Sequence, residues 1–142
     1  VQSPGYVMIM VEMNHDARII RLNSEFNPDS MKRWLGDSVG RWEGNTLVVK
    51  TKNHHPQQKF RAEIRHQILI SEGAEITERF TRVANNEILY QFEVNDDEAY
   101  KDVWKGEMPL RASQEKIYEY ACHEGNYAMA NILAGARAEE EN

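Results

Sequence analysis

The sequence predicts a mainly β domain: an antiparallel β-barrel or strongly curved meander, with a short plug helix and a short C-terminal helix. Three observations carry that expectation. From residue 61 onward apolar and polar residues alternate with a period of two, the signature of strands with one buried face. Turn chemistry recurs at hairpin spacing, at Gly44-Asn45, Ser71-Glu72-Gly73, Asn85-Asn86 and Asn95-Asp96-Asp97. Helical spacing of apolar residues occurs only in two short stretches. A chain of 142 residues is long enough to bury one core, so residues 1–142 are read as a single β-barrel domain.

Lys and Arg number 17 against 23 Asp and Glu, a net charge of −6 that gives no electrostatic support to nucleic-acid binding. No apolar run approaches the roughly 20 residues that cross a bilayer, and the first residues lack the positive region of a signal peptide. The reading is a soluble chain with no membrane partner. Its start at Val1 without Met fits a processed or trimmed product, so the compartment stays open and export to the periplasm or medium after signal removal is compatible. Cys122 is the single cysteine, which excludes an internal disulfide and a thiolate metal cluster within one chain.

Tyr6 to Met13 is apolar at nearly every position and reads as a buried strand. Asn14-His15-Asp16 turns it into a second strand, Ala17 to Leu22, and leaves His15 at an exposed loop tip. Asp29 can cap a short helix ending at Gly36, on which Met31, Trp34 and Leu35 share a face; this is the expected plug. Val39–Glu43 and Thr46–Thr51 flank Gly44-Asn45, and a Gly-first two-residue connection specifies a type II′ hairpin. Residues 52–59, with His54 and His55, read as a solvated polar loop or a rim contact.

In the strand expected over 61–70, Ala62, Ile64, Ile68 and Ile70 share one face, and His66 falls in that apolar phase. Ile76 and Phe80 define the inner face of the next strand, where Glu78 interrupts it. Ile88, Tyr90, Phe92 and Val94 follow without a charged residue among them. Tyr100, Trp104, Met108 and Leu110 continue the phase with Asp102 between them, and Pro109 marks a sheet edge or strand end. Ile117 to His123 reads as the last strand. A helix follows from Tyr127 to about Ala138 with Met129, Ile132, Leu133 and Ala136 as its stripe.

An ionisable side chain facing an apolar interior costs several kcal/mol unless paired or neutralised, so His66, Glu78 and Asp102 must have partners. One reading is a satisfied core network, with Arg79, Arg65 or buried tyrosines as partners. The other is a small-molecule site, in which Trp42, Tyr90, Phe92, Asp102, Trp104 and Tyr120 line the pocket. In the last strand one of His123 and Glu124 faces inward whichever phase holds, so His66, Glu78, His123, Glu124 and Tyr118 are the candidate proton-transfer groups.

Two functions fit such a pocket: acid–base chemistry of the lyase, isomerase or cofactor-free hydratase kind on a mostly apolar molecule, or non-catalytic carriage of a hydrophobic ligand. A third, an interaction domain using the sheet edge near Pro109, and a homodimer are compatible. No metal and no cofactor is assigned. The histidines lack metal-ligand spacing, only a long-range set such as His15, His66 and His123 could build three ligands, and phosphate-loop and Ser or Cys nucleophile motifs are absent. If the sheet closes, His66 and one of His123 or Glu124 should meet within reach of a common ligand.

Trp34-Leu35-Gly36-Asp37-Ser38 through Trp42-Glu43-Gly44-Asn45-Thr46-Leu47-Val48-Val49, the Glu78–Val83 stretch ERFTRV, and the Tyr118–Tyr127 stretch YEYACHEGNY together resemble an uncharacterised bacterial family, often exported, that carries WLGDSxGxWEGxTLVV, ERFTRV and YEYACHEGNY. The resemblance lends no catalytic role to any residue. The WEGNTLVV hairpin followed by a meander is more loosely similar to calycins, the lipocalin and fatty-acid-binding barrels, which implies an apolar ligand.

Overall fold

The computed structural model describes residues 1–59, 69–121 and 124–140. Residues 61–68 of the expected strand, with His66, lie outside them, as does His123. Leu69 and Ile70 are described and are not in a strand.

Eight strands form one sheet in chain order: β1 (Gln2–Ser3), β2 (Tyr6–Met10), β3 (Ala17–Leu22), β4 (Asp37–Glu43), β5 (Thr46–Lys52), β6 (Glu75–Ala84), β7 (Glu87–Asn95) and β8 (Trp104–Arg111). Every neighbouring pair is antiparallel except β3 and β4, which run parallel. The sheet is not closed: among the described residues β1 and β8 are its edges. The curved meander is therefore the form adopted, with one parallel step inside it. The C-terminal helix α1 (Ala128–Glu140) falls close to its expected bounds and is exposed along its whole length.

Register assigns the faces. Ile20 and Leu22 of β3 sit beside Ser38 and Gly40; Val49 is opposite Glu78, Leu47 opposite Phe80, Phe80 opposite Tyr90, and Tyr90 opposite Met108. Cross-strand partners share a face, so these side chains all point to one side. There Ile20, Leu47 and Val49 form the buried core, with Val7, Ile9, Leu22 and Phe80 packed around them. Two glycines let that face fold inward. A Cβ on Gly40 would lie 2.8 Å from Ile20 Cγ2, and one on Gly106 would lie 2.5 Å from the Phe92 ring, so both side chains lie flat over bare backbone.

The curl follows from reach. In a flat sheet, strands spaced about 4.8 Å apart would hold β2 and β8 roughly 29 Å from each other. Ile9 of β2 and Met108 and Leu110 of β8 instead line one cavity of about 350 Å³.

The connection over residues 23–36 corrects the expected plug helix, because no helix forms there. A parallel pair needs a long crossover, and this one is fastened by its backbone: Arg33 N donates to Asn53 O at 3.0 Å and His55 N donates to Arg33 O at 2.9 Å. Groups committed to that bridge cannot serve a helical turn. Trp34 is 58% exposed and stacks on the His55 ring at 4.2 Å rather than plugging an apolar hole, and Asp29 pairs with Lys52 at 3.3 Å rather than capping a helix. Asp37, 2% exposed, accepts from Arg21 at 2.8 Å and from the backbone and side-chain nitrogens of Asn27 at 2.7 and 2.9 Å.

The last strand is also corrected. Residues 117–121 form no strand, and the Tyr118 and Tyr120 amides donate to side chains of the β2–β3 loop, Glu12 at 3.3 Å and His15 Nε2 at 3.2 Å. The Gly44-Asn45 hairpin stands as expected, with Gly44 at φ +63°.

Gly36 turns the crossover into β4 at φ +70°, and a Cβ there would lie 2.6 Å from Thr51 Cγ2, 2.8 Å from His54 Cε1 and 2.9 Å from Lys52 O. Gly36→Ala should therefore lower unfolding stability by about 2–4 kcal/mol, from left-handed backbone strain and overpacking together. Gly73→Ala, whose Cβ would meet nothing closer than 3.7 Å, should leave it nearly unchanged. Urea unfolding midpoints of the two variants would check the contrast.

Candidate functional site

The curl of the sheet forms an open-mouthed cavity of about 350 Å³. Its walls are apolar: Ile9 and Val11 from the β2 side, Leu35 from the end of the crossover, Phe80 from β6, and Met108 and Leu110 from β8. Into this lining project three polar groups, Arg18, Glu78 and Tyr90, while Asp16 stands exposed in the β2–β3 loop.

The three form one closed arrangement. Arg18 donates from Nη1 to Glu78 Oε2 at 2.7 Å and from Nη2 to Glu78 Oε1 at 3.0 Å, the forked geometry a guanidinium makes with a carboxylate. Tyr90 donates its O–H to Glu78 Oε1 at 2.9 Å. Glu78 is 4% exposed and lies on the apolar phase of β6, so without these donors its carboxylate would be stranded in the core. The Tyr90 hydroxyl is pushed well above its ordinary pKa, first by burial, then by the neighbouring Glu78 charge and by its own hydrogen bond to that carboxylate. Behind it an aromatic ladder runs across the sheet. Phe80 lies 4.9 Å from Tyr90, Tyr90 5.5 Å from Phe92, and Phe92 5.0 Å from Trp104.

Of the residues singled out in the sequence, Glu78 and Tyr90 are therefore brought together, with Phe92 buried against Tyr90. The others are placed elsewhere. Trp104 closes the ladder at the sheet edge and is partly exposed, and Trp42 is exposed near the tip of the β4–β5 hairpin. Asp102 is exposed, because β8 begins only at Trp104 and the preceding residues form a turn in which Asp96 O accepts from Tyr100 N at 2.8 Å. Tyr118, Tyr120 and Glu124 are exposed, since residues 117–121 are not a strand and present no inner face. His66 and His123 lie outside the described residues, and the pocket expected to join them lies outside with them. Among the described residues no group of three His, Cys, Asp or Glu is placed to hold a metal ion.

Arg18 was missed. The signal was present, because Arg18, Ile20 and Leu22 share one phase of β3 and Arg18 must face inward with them.

His54 corrects the solvated-loop reading. It is 2% exposed, with neither ring nitrogen hydrogen-bonded. Burial lowers its pKa, with the Lys32 and Arg18 charges adding and the Asp96 carboxylate opposing.

A second hollow, of about 400 Å³, lies on the opposite face of the sheet among Thr77, Arg79, Gln91, Glu93, Lys105 and Glu107. Its polar groups pair along the surface, Lys105 with Glu93 at 3.3 Å and Gln91 Nε2 donating to Glu107 at 3.0 Å. It is a solvated face, so the smaller apolar cavity is the candidate site. Compared with family models, curated proteins and solved structures, the chain matches none.

Removing one member of a buried ion pair leaves the other uncompensated. Arg18→Met and Glu78→Met should each cost about 3–5 kcal/mol of unfolding stability, and the double variant should recover most of that loss in urea unfolding. The buried His54 predicts acid sensitivity. Its folded pKa is lowered, so as pH falls below about 6.5 the unfolded chain takes up the proton first and stability declines. Unfolding midpoints followed from pH 7.5 to 5.5 should fall, and the fall should be smaller in His54→Leu.

Proposed function

We propose that this protein is a binding module for a small, mostly apolar molecule held in the curl of the sheet, and that it is not catalytic at that site. The observation that carries the reading is the closure of the Arg18–Glu78–Tyr90 arrangement. Both Glu78 oxygens are occupied by donors, one of them twice. A general base needs a lone pair free to take a proton, and a general acid needs a pKa near the working pH. Three of the roughly four lone-pair sites on the Glu78 carboxylate are already taken by donors, two of them from one guanidinium, and Tyr90 holds its proton more tightly than an ordinary phenol.

Binding asks for less, and the cavity supplies it: an apolar lining with a few converging polar groups, at the lower end of the few hundred Å³ usual for small-molecule sites. The acid–base reading leaned on His66 and His123, which lie outside the described residues, on Glu78, which lines the cavity, and on Tyr118 and Glu124, which are exposed.

The test is titration with an uncharged apolar dye such as phenylnaphthylamine, whose fluorescence rises in an apolar site. Saturable binding at one site per chain is expected. Leu110→Arg should weaken it about tenfold or more, because a charge in the lining must be desolvated each time the dye enters. Absence of saturable binding, or binding indifferent to the charge at position 110, would sink the reading.

A further inference from the structure

We infer that the cavity selects an uncharged ligand bearing a hydroxyl group, which takes an N–H of Arg18 on its oxygen and gives its own proton to the Tyr90 oxygen. The inference rests on the binding reading above and adds the chemical class of the ligand.

Hydrogen-bond capacity comes first. A guanidinium carries five N–H donors. Arg18 directs one from Nη1 and one from Nη2 to Glu78, which leaves capacity at the rim of the same group. Tyr90 has given its proton to Glu78, so its oxygen can still accept. The site therefore presents one donor and one acceptor side by side. Arg18 Nη2 and Tyr90 Oη both bond to Glu78 Oε1, at 3.0 and 2.9 Å. They can lie no more than about 6 Å apart, a span that one oxygen making two ordinary hydrogen bonds can bridge. A hydroxyl has both a proton to give and lone pairs to receive with; an ether or ketone answers only Arg18, and a hydrocarbon answers neither.

Charge then excludes the alternatives. Arg18 and Glu78 neutralise one another, so a carboxylate or phosphate entering the cavity would find no net positive charge. It would also meet the exposed Asp16 carboxylate on the way in. An ammonium group would be drawn to Asp16, in water. To reach the floor it would have to be desolvated beside the Arg18 cation. The apolar ligand that the calycin-like resemblance implies is thereby narrowed to a neutral alcohol or phenol.

The experiment is displacement of bound phenylnaphthylamine by four molecules that share one hydrocarbon chain: octane, octanol, octanoate and octylammonium. Octanol should displace the dye about tenfold more effectively than any of the other three, the effect of one to two net hydrogen bonds. In Tyr90→Phe, which keeps the ring in its ladder, octanol should lose most of its advantage while octane is unchanged. The inference is overturned if octanoate or octylammonium competes as well as octanol, or if the advantage of octanol survives in Tyr90→Phe. Should that variant fail to fold, the ranking of the four molecules on the wild-type chain decides alone. Failure of the dye itself to bind would instead overturn the binding reading beneath it.

Discussion

The pair between Arg18 and Glu78 is the constraint on which the rest of the arrangement depends. Neither charge could occupy the apolar face of the sheet alone, and the forked bond joins β3 to β6 across the two strands between them. A buried ion pair is a weak source of net stability, since desolvation offsets most of its attraction. What it can supply is register. A slip of one residue in β3 would turn Arg18 outward and bring Ala17 and Ile19 to the core face, leaving Glu78 with Tyr90 as its single donor of the three. The curl serves the same contact. Gly40 and Gly106 remove the two Cβ atoms that would prop the inner face open, and the cavity is the space left when the curved sheet stops short of closing.

A second set of buried polar groups holds the irregular backbone that the parallel β3–β4 step requires. Asp37 receives Arg21 and both nitrogens of Asn27, and Asn53, at φ +61°, donates from its side chain to Asn27 O at 3.1 Å. Asp96 does the same where residues 69–71 meet the turn after β7, accepting from the backbone and hydroxyl of Ser71, both at 2.7 Å. Ser38 and Thr51 bond to each other at 2.8 Å between β4 and β5. Each buried polar side chain is matched to donors or acceptors that the loops cannot satisfy by regular pairing. His54, enclosed by the same crossover and bonded through neither nitrogen, is an exception, as is the Gln58 side-chain oxygen.

Much of this fold was legible in the sequence, for reasons that particular residues make plain. β3 has the expected bounds, the Gly44-Asn45 hairpin forms, and the faces of β6 and β7 follow the period of two, because those signals are local and a strand with one buried face must obey them. Glu78 declared itself by interrupting that period. Its main partner went unread, although Arg18 obeys the same period sixty residues earlier, because no local rule says which distant strand will curl over. The plug helix failed for a related reason. Apolar spacing at Met31, Trp34 and Leu35 carries no information about the Asn53 and His55 backbone groups that take the chain instead. Alternation failed at residues 117–121, where side chains of Glu12 and His15, not a neighbouring strand, receive the amides. Trp42 and Asp102 show the limit at strand ends, where in-phase residues extend beyond the part of the sheet that the curl covers.

The contact that shapes the cavity also bears on the function proposed for it. Three of the roughly four lone-pair sites on Glu78 are committed to Arg18 and Tyr90, and loss of the Arg18 contact would strand a cation on the inner face of β3. Structural integrity and chemical availability therefore compete for the same two oxygen atoms, and in this geometry most of their lone-pair sites are committed to integrity. What remains for a ligand is the outer rim of the arrangement: the unused donors of Arg18 and the accepting side of the Tyr90 oxygen. A ligand using only these leaves the pair intact and needs no movement of β3 against β6. On the binding reading we propose, such a site recognises a molecule and holds it without reacting, because its polar floor was completed when the sheet curled.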